Sequence, residues 1–101
     1  MKMSDKEAVA AKALQVKAKS ALKSIRKIQQ KYPGISLVKI LVRFRIDINP
    51  LAEWLVISRI EKHQEGSLSV DERIHLEQQK IFLRENHPES EKDCAEFLKT
   101  Q

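Results

Sequence analysis

Residues 35–48 read ISLVKILVRFRIDI, and the fold class turns on whether they form a strand or a helix. As a strand, Val38, Ile40, Val42, Phe44, Ile46 and Ile48 point one way and Lys39, Arg43, Arg45 and Asp47 the other. The many β-branched residues favour that reading. As a helix, Ser36, Lys39, Arg43 and Asp47 line a polar edge, and Leu37, Ile40, Leu41, Phe44 and Ile48 form the buried face. Arg45 then sits poorly, and it would pair with an acid from the C-terminal half. No second strand candidate exists elsewhere in the chain, so a strand here would need its mate from another subunit. The helix is the preferred reading, and the stretch stays ambiguous between the two.

Outward from this stretch the pattern is helical. Upstream, Ser4-Asp5-Lys6-Glu7 has the form of a capping box, in which hydroxyl and carboxylate satisfy two orphan N–H groups. Strong helix formers follow until Pro33 and Gly34 stop the run. Apolar residues recur at Ala11, Leu14, Ala18, Ala21, Ile25, Ile28 and Tyr32, alternating steps of three and four as a heptad seam does. Downstream, Asn49-Pro50 is an N-cap followed by a favoured first helical residue, opening a helix with Leu51, Trp54, Leu55, Ile57 and Ile60. Gly66 falls just beyond its end. Ser69-Val70-Asp71-Glu72 is a second capping box, heading a more polar helix through Ile74, Ile81, Phe82 and Leu83. Pro88 breaks that helix, and a short one carries Cys94, Phe97 and Leu98. The expectation is an all-α bundle of four or five helices with a long basic N-terminal helix, forming a single helical domain over residues 1–101.

Charge is unevenly spread. The chain has 101 residues and a formal net charge of +5. Residues 1–60 carry thirteen basic and four acidic side chains, a balance of +9. Residues 61–101 carry six basic and ten acidic ones, a balance of −4. One half is therefore suited to a polyanion, or the halves attract each other within or between chains. The lone cysteine, Cys94, allows no internal disulfide and points to a reducing compartment, so a cytoplasmic location is expected. The opening MKMSDKEAVAAKAL lacks the apolar core of a signal peptide, and 35–48 is too short and too charged to span a bilayer.

Catalytic and cofactor motifs are hard to find. Gly34 and Gly66 sit in no phosphate-binding pattern. His63, His75 and His87 lie twelve residues apart, not the three or four that present metal ligands on one helix face, and read as solvent-exposed. Cys94 with His87 could form a thiolate pair, but no oxyanion hole or third member accompanies it, and packing explains the cysteine. The carboxylates around Pro88 read as a solvated acidic turn. No metal, no cofactor and no enzymatic activity are expected.

The basic helix is the strongest functional signal. Between residues 11 and 32 there are seven Lys or Arg residues and no acid. At 100° per residue Lys12, Lys19, Lys23, Arg26 and Lys27 share an arc of about 100°, opposite the seam, along about 22 Å of axis. Ordinary surface helices mix signs, because Glu–Lys pairs four apart are mildly stabilising, whereas Lys19–Lys23 and Lys23–Lys27 repel. The stripe could follow several phosphates of a nucleic acid, with Arg43 and Arg45 as secondary contacts. A solvated lysine face is the plain alternative. A membrane-surface role is disfavoured, because the N-terminal half of the seam is mostly alanine and lacks aromatic anchors.

Two functional expectations follow: a non-catalytic accessory or regulatory factor on nucleic-acid backbone, DNA or RNA, or a helical adaptor or inhibitor docking on an acidic surface of a partner protein. The seam of Leu14, Ala18, Ala21, Ile25 and Ile28 either packs on the remaining helices or pairs with a second copy in a homo-oligomer. Under the strand reading of 38–48, VRFRIDINPLAEWL resembles the strand leading into the first helix of ribbon-helix-helix repressors. That resemblance covers about half of the chain and implies a paired ribbon presenting Lys39, Arg43 and Arg45 to the major groove.

Overall fold

The first helix, α1 (Asp5–Lys31), is capped by Ser4, whose hydroxyl accepts from the Glu7 N–H at 3.2 Å. At its far end Tyr32-Pro33-Gly34-Ile35 forms a turn closed by the Ile35 N–H on the Tyr32 carbonyl, 3.1 Å. Pro33 supplies the fixed φ of the second position, and Gly34, at φ +81°, takes the left-handed third position that a side chain disfavours. These details come from a computed structural model, which describes residues 4–44 and 49–100.

The ambiguous stretch is helical where it is described. Helix α2 (Leu37–Phe44) starts with the Ser36 hydroxyl accepting from the Lys39 N–H, 3.2 Å. Ile40 and Leu41 are fully buried and Leu37 and Val38 pack against the core, as the helical pattern requires. The ribbon reading is thereby overturned for 38–44. An isolated β-ribbon would have had to find a mate outside the chain, whereas the helix satisfies its own backbone and buries one face at once. The expectations for the Phe44 side chain and for Arg45, Ile46, Asp47 and Ile48 lie outside the described residues.

Three further α-helices follow. Asn49 caps α3 (Pro50–His63), its side chain accepting from the Ala52 N–H at 2.8 Å, with Pro50 in the first turn. A 3₁₀ turn at Glu65–Ser67 leads into α4 (Val70–Asn86). There the capping box is complete: the Glu72 N–H donates to the Ser69 hydroxyl (3.1 Å) and the Ser69 N–H to the Glu72 carboxylate (2.9 Å). Hydrogen bonding from Ser69, its backbone N–H first and its hydroxyl second, holds the Glu72 carboxyl below its ordinary range. The last helix is α5 (Ser90–Lys99). The fold is an all-α helical bundle, with no strand among the described residues.

Helix α3 is the hub. It is buried from Leu51 through Ile57 and again at Ile60, and it touches α1, α2, α4 and α5. A helix apolar on nearly every side can only be central. From α1 the seam contributes Ala18, Ala21 and Ile25, all essentially inaccessible, with Leu14 and Ile28 partly buried beside them. The seam is thus used inside the chain, against α3 and α5, rather than left open for a second copy. The small alanines let the two helix axes approach closely.

Two polar links brace this core. The Gln79 side-chain amide donates to the buried Glu53 carboxylate at 2.8 Å, joining α4 to α3. The Trp54 indole N–H donates to the Ser90 hydroxyl (2.8 Å), which in turn donates to the His87 carbonyl (2.6 Å). Ser90 therefore fastens the start of α5 to α3. Of the apolar residues expected on α4, only Leu83 is inside; Ile74, Ile81 and Phe82 are about half exposed.

Candidate nucleic-acid interface

The five cations of the proposed stripe, Lys12, Lys19, Lys23, Arg26 and Lys27, are all exposed. The seam fixes the rotation of α1: once Ala18, Ala21 and Ile25 face the core, residues half a turn away must face solvent. Among the described residues none of the five makes an ion pair. Their neighbours on other arcs behave differently. Lys17 leans towards Asp93 of α5, with Nζ 4.0 Å from Oδ2, and Lys31 lies 5.7 Å from the centre of the Tyr32 ring. Lys80 and Arg84, on α4, are held by Glu61, Glu77 and Glu91. Lys80 and Arg84 are thus neutralised in place, and the five cations on the outer face of α1 are not.

Lys19, Lys23, Arg26 and Lys27 surround a shallow depression on α1 with Leu22 at its inner edge and Gln30 at one end. Their stems cover apolar surface while the charged ends remain in water, where an anion can reach several at once. At 1.5 Å per residue these four span about 12 Å of the helix axis, so the charge density is high. The arrangement attracts anions; it holds no nucleophile or acid–base pair.

Arg43 is exposed, yet its guanidinium lies 5.4 Å from the centre of the Tyr32 ring, so it braces α2 against the end of α1. The structure brings it near Lys31 rather than onto the stripe's arc. Arg45 lies outside the described residues. Two residues that charge counting passed over belong to the same outer arc: Val9 and Val16, seven apart and both largely exposed. Their helical phase was readable, since each lies within about 60° of Lys12 and Lys23 at 100° per residue.

The other candidates do not converge on a site. His63 and His87 are exposed. His75 departs from the expectation of full exposure: it is half buried, and its Nε2 is shut off from water without a hydrogen-bond partner. The reason is its place on the flank of α4 beside the inward-facing Gln79 and Leu76. Among the described residues no group of three or more His, Cys, Asp or Glu side chains could hold a metal ion. Burial pushes the Cys94 thiol up to about 11, with the Glu91 charge adding to the effect, so the thiol stays protonated at neutral pH. A cleft between α3 and α5 is lined by Trp54, Glu61, Lys62, Glu91 and Cys94, and its acids are engaged by Lys80 and Arg84. Among the described residues no helix is long and apolar enough to cross a membrane.

Set against known proteins, the chain matches no family model, no curated protein and no solved structure.

Proposed function

We propose that the protein is a small non-catalytic accessory or regulatory factor that grips nucleic-acid backbone through α1. One observation carries this reading: Lys12, Lys19, Lys23, Arg26 and Lys27 share one exposed face of a continuous helix and, among the described residues, have no acidic partner. Each phosphate that such a row neutralises releases condensed counterions, which favours binding. Contacts of this kind position a protein without reading bases, so little sequence preference is expected.

The test is a salt titration of binding to a short duplex and to a single strand. With about four phosphates neutralised, log K falls against log salt with a slope of about −3.6 on duplex DNA. Replacing Lys19, Lys23 and Lys27 together by Glu should abolish binding at moderate salt and leave the helical circular dichroism unchanged, because all three side chains are in water. Binding that ignores salt, or survives the triple variant, removes the proposal.

A second reading, docking on an acidic surface of a partner protein, draws support from Val9 and Val16. Apolar side chains along one edge of the arc add nothing to phosphate binding but suit a protein groove. A pull-down with and without nuclease separates the two. Partners that vanish with the nucleic acid favour the first reading, and a retained stoichiometric protein favours the second.

A further inference from the structure

The outer face of α4 is apolar where a surface helix is ordinarily polar. Val70 (73 % exposed), Ile74 (51 %) and Ile81 (51 %) fall within an arc of about 40° at 100° per residue. They lie opposite the buried Leu76, Gln79 and Leu83. Phe82, also 50 % exposed, lies about 100° further round, on the flank of α4. Single exposed apolar residues need no explanation, but three along one helix face form a patch that asks for a cover. Around it stand the exposed acids Asp71 and Glu85, with Glu77, which also holds Lys80 at 3.4 Å, on the other margin. The nearby cations are already engaged, Arg84 by Glu91 and Lys80 by Glu61 and Glu77. A complementary cover is therefore apolar along its middle and cationic at its margin.

The chain carries one such surface. On the outer face of α1, Val9 and Val16 are seven residues apart, the same separation as Ile74 and Ile81, about 10 Å of axis in each case. Lys12, Lys19 and Lys23 border them, and the small Ala13 and Ser20 leave room for another helix to come close. Within one molecule this face cannot reach α4, because it points away from the bundle on which α1 packs. The geometry points to self-association, with the outer face of α1 in one copy lying on the outer face of α4 in another. Since the two faces differ, the contact is head-to-tail, or doubled if two such contacts close around a two-fold axis. The inference does not rest on the nucleic-acid reading, although it draws on the same face of α1, so Lys12, Lys19 and Lys23 engaged by a second copy are withdrawn from phosphate.

Sedimentation of nuclease-treated full-length protein tests it across a range of concentrations at low and high salt. Concentration-dependent association is expected, and it should weaken at high salt as the lysine–carboxylate margin is screened. An Ile74→Asp/Ile81→Asp variant should associate at least tenfold more weakly while keeping its circular dichroism. A charge exchange guards against misfolding: Lys12→Glu/Lys19→Glu and Glu77→Lys/Glu85→Lys should each fail to self-associate, yet form mixed species with each other. A wild type that stays monomeric throughout, an isoleucine variant that associates like the wild type, or charge variants that do not rescue each other overturns the inference.

Discussion

Glu53 shows how much one side chain can hold in this molecule. It sits in the first turn of α3, where any helix favours an acid, but the turn is inside the bundle and the carboxylate is 4 % exposed. Gln79 reaches across from α4 to donate to it. Gln79→Ala should destabilise the protein by about 1–3 kcal/mol, read from the urea midpoint, because it strips a donor from a buried carboxyl oxygen. Nothing in the local sequence marks this pair: an acid at a helix start and a glutamine in a polar helix are both unremarkable, and 26 positions separate them. The Trp54–Ser90 bond is hidden for the same reason. The stripe on α1 was legible because helical phase is a local property, and the half-buried His75 was not because the apolar pattern of α4 misplaces its inward face, which carries Leu76, Gln79 and Leu83 rather than Ile74 and Ile81.

Among the elements, α1 and α3 meet through small residues. Ala18 and Ala21 are wholly inaccessible, so Ala21→Leu must force three extra carbons into a filled contact. The expected cost is about 1–3 kcal/mol as a lowered melting temperature, while Ala13→Leu on the exposed face should be close to neutral. Helix boundaries were readable because caps are written within four residues, at Ser4, Asn49 and Ser69. The stretch 35–48 was harder, since both periods fit it, and what decided the described part was burial of Ile40 and Leu41 on α3. The exposed side of α4 was unreadable on other grounds. Apolar residues announce that a face wants cover, not that the chain itself provides it.

At the level of the whole molecule, ion pairs tie α4 to its neighbours: Lys80 to Glu61 of α3 and Arg84 to Glu91 of α5, each at 2.8 Å. The hydrogen bonds from Arg84 hold the Glu91 carboxyl below its ordinary value of 4.5. A depressed acid stabilises the fold above its unfolded value and loses that contribution as pH falls through the folded one. The urea midpoint should therefore be level above a pH of about 5 and decline below about 4.5, modestly, because both partners are half exposed and screened. Arg84→Ala should flatten that decline. The same guanidinium lies 5.6 Å from the centre of the Trp54 ring, and Trp54 is the chain's one tryptophan. Its indole thus sits where α3, α4 and α5 meet, held by Ser90 from one side. The protein's ultraviolet glow comes chiefly from that junction, so a spectrometer tuned to it sees the C-terminal helix come loose and is nearly blind to the cationic rod.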